Sequence, residues 1–154
     1  MLIIKKVTKK NLNILYNLAQ AYESEFSTIT KKLPNSKGLY PLDTKVDKNH
    51  PSFLIYKKKT PIGFCIKGIH DGRHDIAEFF IIPTFRSKNI GQKFAYQIFK
   101  KYKGEWQVRQ INGADKARKF WRKTIKSFTH NQYTESLVKD PYWGTVSRQI
   151  FRSS

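Results

Sequence analysis

Cysteine is nearly absent from this chain. Cys65 is the only one in 154 residues, which excludes an intrachain disulfide and any cysteine-based metal site. With no His beside it in its strand, Cys65 is expected to be a small core residue rather than a nucleophile. No run approaches the ~20 apolar residues that cross a bilayer, and the start Met1-Leu2-Ile3-Ile4 is too short for the core of a secretion signal. A soluble cytoplasmic protein with no membrane partner is therefore expected. His50, His70, His74 and His130 lack the His-Glu-x-x-His spacing and form no recognisable triad, so no metal is expected. The 6 Pro and 8 Gly are not gathered into a linker, which leaves one globular domain over residues 1–154.

Acidic residues are scarce too: 11 Asp plus Glu stand against 30 Lys plus Arg, a net charge of +19. Such an excess draws polyanions, so a nucleic-acid or ribosomal partner is one expectation. The lysines are scattered in small groups (Lys5-Lys6, Lys9-Lys10, Lys31-Lys32, Lys57-Lys58-Lys59, Lys100-Lys101), the usual pattern of a solvated surface. Apolar residues at 39%, with 14% aromatic, suffice for a packed core.

Periodicity gives the order of elements. Residues 2–7 read as a strand, and Thr8 can cap a helix in which Leu12, Leu15, Tyr16, Ala19, Tyr22 and Phe26 recur at helical spacing. Residues 27–51 are broken by Pro34, Gly38, Pro41 and Pro51, with room for at most one short helix over 28–33. Strands follow at 53–56, 62–69 and 75–82, joined by the turns at 57–61 and Asp71-Gly72. The helix after Gly91 carries Phe94, Ala95, Ile98, Phe99 and Tyr102 on one face and ends at Gly104. A strand at 106–110, a helix capped by Asp115, and strands at 132–138 and 145–151 complete the chain.

The stretch from Ile76 to Gly91 carries the chemistry. A strand reaches Pro83, then the basic turn Arg86-Ser87-Lys88-Asn89-Ile90-Gly91, then a helix. The unpaired N–H groups of a first helical turn carry about half a positive charge and bind phosphate without a dedicated side chain. Arg86 and Lys88 add charge there.

Element order and residues together resemble the GNAT superfamily of acyl-CoA-dependent N-acyltransferases, over essentially the whole chain. Ile81-Ile82-Pro83-Thr84-Phe85-Arg86-Ser87-Lys88-Asn89-Ile90-Gly91 looks like that family's strand, proline and Arg/Gln-x-x-Gly-x-Gly/Ala turn. Glu78-Phe79-Phe80, Gly104-x-Trp106-x-Val108-Arg109-Gln110 and Ala117-x-x-Phe120-Trp121-Arg122 look like a bacterial branch of uncharacterised acetyltransferases. The resemblance implies an α/β fold: a mixed, mainly antiparallel sheet of six or seven strands, a central parallel pair splayed for coenzyme A, and helices on both faces. It implies acetyl-CoA as co-substrate, with Arg86, Ser87, Lys88, Asn89, Ile90, Gly91 and Gln92 around the pyrophosphate, Lys88 or Lys93 adding charge, and the main chain of Phe79, Phe80 and Ile81 along the pantetheine arm. It further implies direct attack by a small-molecule or peptide amine in a ternary complex, in a monomer or homodimer.

Some positions depart from the family pattern. Asn89 stands where the first glycine is usual, and Asn tolerates left-handed backbone better than most residues. Ala114 and Trp121 stand where many members have an Asn that touches the cofactor arm and a Tyr that protonates the leaving thiolate; Asn112 lies two residues before the first. An indole N–H is no practical acid, so Tyr96, Tyr133, Tyr142 or a water would have to serve. Glu78, on the strand that would carry the thioester, is the candidate general base, because an ammonium must lose a proton before it attacks. Residues 27–51 and the turn at 139–144 are expected to wall the acceptor site. Tyr40, Tyr142, Trp143 and Trp121 are its candidate contacts, with Glu25 or Asp43 to hold a cation. Two alternatives stand beside this reading: a CoA-binding module without turnover, and a basic nucleic-acid-binding module using Lys100-Lys101-Tyr102-Lys103 or Arg118-Lys119-Phe120-Trp121-Arg122-Lys123.

Overall fold

The computed structural model describes all 154 residues. Strands β1 (Leu2–Lys6), β2 (Ser52–Lys57), β3 (Thr60–His70), β4 (Arg73–Ile81), β5 (Gly104–Ile111), β6 (Thr134–Asp140) and β7 (Gly144–Ser153) form one seven-stranded sheet in the order β1-β2-β3-β4-β5-β7-β6. The helices are α1 (Leu12–Thr30), α2 (Ile90–Lys101) and α3 (Asp115–Thr129), with a single 3-10 turn at Pro83–Phe85. β1/β2, β2/β3, β5/β7 and β6/β7 pair antiparallel, whereas β4 and β5 pair parallel. The mixed sheet with a parallel pair at its centre is the one expected. The chain gathers into two compact units, one of Met1–Lys67 with Ala77–Lys88, the other of Gly68–Ile76 with Asn89–Ser154. No helix is long and apolar enough to cross a membrane.

In the first unit, the helical stripe of α1 lies on its sheet strands. Leu15 and Ala19 are fully buried and share a core with Val7, Leu54, Tyr56, Phe64, Ile66 and Phe80. Each large apolar side chain so buried contributes roughly 1.5–3 kcal/mol. Thr8 does not cap α1. The N-cap residue is Asn11, whose side-chain oxygen reaches back to the Thr8 amide at 2.7 Å and closes the strand-to-helix turn. α1 also runs on to Thr30 and absorbs the start of the expected short helix; Lys31, at φ 62°, ends it by donating its amide to Ser27 O at 2.8 Å. From there to residue 51 the chain forms no helix or strand. Gly63 on β3 has a steric reason: a Cβ there would lie 2.3 Å from the Phe80 carbonyl oxygen of β4.

The second unit is held by aromatic packing. The Phe99 ring of α2 lies 5.0 Å from Trp106 of β5, 4.8 Å from Phe151 of β7 and 5.1 Å from Phe128 of α3. The Trp106 indole N–H donates to Tyr102 O at 2.7 Å, so its burial leaves no donor unmet. Two expected caps are displaced. Asp115 is the first helical residue of α3 rather than its cap; its carboxylate still faces the positive end of the helix and pairs with Arg118 at 2.8 Å. Gly104 opens β5 at φ 118° instead of ending α2, which stops at an extended Tyr102. Between β6 and β7, Asp140 accepts the amides of Tyr142 and Trp143 at 2.8 and 2.9 Å and fixes the turn; these bonds, Trp143's foremost, hold its carboxyl below the usual range.

Candidate functional site

Glu78 sits on β4 among carboxylates. The Thr44 hydroxyl donates to its Oε1 at 3.1 Å. Burial pushes its pKa up to about 7; the Thr44 bond and Lys32 oppose the rise, while the negative charges of Glu23 and Asp43 add to it. Lys32 bridges those two neighbours, at 3.3 Å from Glu23 and in close contact with Asp43. Burial, reinforced by Glu78, Glu23 and Asp43, also pushes the Tyr22 phenol up. Every other carboxylate of the chain touches a Lys, Arg or His; Glu78 alone does not.

The basic turn follows β4. The Arg86 guanidinium grips Glu25 of α1 through two bonds of 2.9 Å, and its Nε donates to Ile81 O at 2.8 Å. This side chain therefore ties the end of β4 to α1. Ser87 and Asn89 both adopt left-handed backbone, at φ 63° and 60°, and residues 86–89 are exposed. Asn89 thus takes the conformation for which a glycine is usual, and its carbonyl accepts the first bond of α2 from Lys93 at 3.0 Å. No side chain caps the N-terminus of α2 and no acid lies in its first turn, so its leading amides face outward uncontested. Ile90, 7% exposed, anchors the helix start. Lys88 leans over the Phe85 ring at 5.4 Å. Gln92 donates to the Tyr96 hydroxyl at 3.1 Å. On β4, the parallel ladder to β5 covers only His74↔Trp106 and Asp75↔Gln107, and so stops well short of Phe79, Phe80 and Ile81.

The remaining candidates fall in different surroundings. Gln20 holds the Tyr40 main chain by a reciprocal pair of bonds at 2.8 and 2.9 Å. Trp121 is 6% exposed and packs against Phe99 and Phe120, a core position. Ala114 is buried at the N-cap of α3. Tyr142 is 74% exposed and stands edge-on to Trp143. Tyr96 packs on Phe128 at 5.2 Å, while Asn112 is exposed and Tyr133 half-buried. Cys65 is fully buried, which pushes its thiol up and leaves it inert, as its sequence context suggested. Glu25 and Asp43 do hold cations, but the chain's own, Arg86 and Lys32. Sequence reasoning missed Glu23 and Thr44. For Glu23 there was a signal, since it follows Ala19 by four residues and so falls on the buried stripe of α1, where it is 5% exposed.

Comparison with known proteins bears on the fold. No family model matches the chain, and no curated protein does. Solved structures do. An acetyltransferase from Thermus thermophilus superposes with a TM-score of 0.71 at 16% identity, covering 99% of this chain and 97% of that one. The fold is that of the GNAT acetyltransferases. The Escherichia coli ribosomal-protein-S18-alanine N-acetyltransferase shares this GNAT fold with a TM-score of 0.67 at 10% identity, over 100% of this chain and 95% of that one. The PaiA N-acetyltransferase of Thermoplasma acidophilum, in complex with coenzyme A, gives 0.63 at 13% identity over 96% and 98%. At such identities the likeness is one of GNAT architecture.

Proposed function

We propose that this chain is an N-acetyltransferase moving an acetyl group from acetyl-CoA to the amine of a small molecule or peptide, with its 154 residues working as one domain in the cytoplasm. The observation that carries the reading is the turn from Arg86 to Gln92, where two left-handed residues lead into a helix whose first amides have no side-chain cap. Backbone N–H groups so presented suit a pyrophosphate. Coenzyme A, with which the Thermoplasma protein of the same fold is in complex, carries such a group. Bound acetyl-CoA supplies the thioester. The main chain of Phe79, Phe80 and Ile81 would hold its arm, and an amide near Ile81 would polarise the carbonyl.

Glu78 is the base in this reading. A carboxylate with a pKa of about 7 both exists at neutral pH and accepts a proton more readily than an ordinary one. Thr44 fixes its orientation, and the negative charge shared with Glu23 and Asp43 favours a cationic amine over a neutral or acidic acceptor.

The test is calorimetry with coenzyme A on the wild type and on Gly91→Glu. Wild type should bind in the micromolar range, and the variant's carboxylate, set beside the phosphates, should weaken binding at least about tenfold. No heat with wild type would sink the assignment. A second reading, a CoA binder without turnover, is favoured by the core position of Trp121 where an acid is usual. Release of free CoA thiol with a panel of amines separates the two.

A further inference from the structure

The unit of Gly68–Ile76 and Asn89–Ser154 contains a polar cavity, walled in part by the 139–144 turn that was expected to face the acceptor, to which the reading above gives no group. Side chains alternate along a strand, so Gln107 and Arg109 of β5 point away from the face that carries Trp106. Together with Arg148 of β7, which lies directly across from Arg109, they floor a cavity of about 240 Å³. His70-Asp71, between β3 and β4, and residues 139–141, between β6 and β7, wall it.

Arg109 is saturated by the protein. Its Nε and Nη2 reach Asp75 at 3.4 and 3.1 Å, and its Nη1 reaches Asp140 at 3.2 Å and His70 at 3.4 Å. Its two neighbours are not saturated. Arg148 has no ion pair, and its Nε is buried without a hydrogen-bond partner. Gln107 is 0% exposed; its amide nitrogen bears on the Asp75 carboxylate beside it in the ladder without reaching ordinary hydrogen-bond geometry, and its amide oxygen has no partner. Buried amides elsewhere in the same unit behave differently: Gln110 and Gln149 close on each other at 2.7 and 2.9 Å. Buried polar groups are almost always met, so the unmet Arg148 Nε, the unmet Gln107 oxygen and a cavity in one place describe a receptor.

We propose that this cavity binds a small ligand with a carboxylate next to an N–H, the pattern of an amino acid or of a peptide's C-terminal residue. The carboxylate accepts from Arg148 Nε and from the Gln107 amide nitrogen, and the Gln107 oxygen accepts the ligand N–H. Gln107 and Arg148 are diagonal neighbours across β5 and β7, about 7 Å apart at the backbone, so their side chains converge on a group of this size. Asp71, Asp75 and Asp140 around the site oppose a doubly charged phosphate more than a singly charged carboxylate, which Arg148 offsets, and Asp71 and Asp140 suit the ammonium of a free amino acid.

Thermal melting with no acetyl-CoA present tests the site independently of the transferase reading. The probes are glycine, glycylglycine, acetate and inorganic phosphate, each at about 10 mM. Glycylglycine should raise Tm by about 2–4 °C, acetate by less, and phosphate not at all. Gln107→Leu and Arg148→Met, which remove unmet groups, should fold with Tm near or above that of wild type and lose the glycylglycine response. In wild type, the Gln107 side-chain amide resonance should move on titration with glycylglycine. A cavity that holds only water would show no probe-dependent shift in Tm or resonance, and that result, or a response to phosphate exceeding that to glycylglycine, overturns the proposal.

Discussion

Glu78 shows how one residue's surroundings set its protonation and, through it, stability. Its pKa of about 7 lies above the ordinary carboxylate value of 4.5, so between those limits the folded chain holds more protons than the unfolded one. Stability then falls as pH rises through that window, and the full cost is present above about pH 7. Glu78→Gln, which keeps an acceptor for Thr44, should therefore be more stable than wild type near about pH 8, by on the order of 2 kcal/mol, and equal to it near about pH 4; urea titrations at both pH values measure the difference. The same substitution should lower kcat roughly 100-fold and abolish a rate profile that climbs through about pH 7. A profile unchanged in Glu78→Gln would assign the proton to another group. Glu78 was named as the candidate base from its place on the strand before the turn, but the raised pKa that suits it to the part was not legible there. Nor was its contact with Thr44 or its nearness to Lys32, because both residues come from a segment without periodicity, whose position depends on contacts such as Gln20 with Tyr40.

The binding proposed for the strand-turn-helix element would rest on backbone geometry, and two substitutions probe it. A Cβ at Gly63 would meet main chain at Phe80, which cannot swing aside as a side chain can. Gly63→Ala should cost about 1–3 kcal/mol in a urea melt and weaken CoA binding by displacing Phe80 and Ile81. Asn89→Gly should bind CoA as wild type does, whereas Asn89→Val, forcing a β-branched residue to φ 60°, should bind several-fold more weakly by calorimetry. The type and order of the elements were readable because their stripes are strong. Their ends were not: Asn11 displaced Thr8 because its side-chain oxygen accepts the Thr8 amide, and α1 runs on to Thr30 because half-buried Ile29 continues its stripe three residues after Phe26.

At the scale of the molecule, the net charge of +19 sets behaviour that no single contact explains. Lys116, Lys119, Lys123 and Lys126 recur along α3 at helical spacing and are exposed, while Arg118 and Arg122 of the same helix are engaged by Asp115 and Glu135. Any RNA that adheres to the chain should leave steeply with salt, losing at least about tenfold in affinity between 50 and 200 mM by filter binding, without a change in CoA affinity. Charge was legible from composition alone; which cations are neutralised was not, since Arg122 and Glu135 meet only after the chain has turned from α3 into β6. One buried atom has a practical consequence. The sole sulfhydryl of the chain, on Cys65, is sealed inside the sheet, so a thiol-reactive dye added to the native protein should stay colourless. Colour that develops with acetyl donor and amine would then report product continuously against a blank of zero, and colour in the absence of both would be an alarm for denaturation.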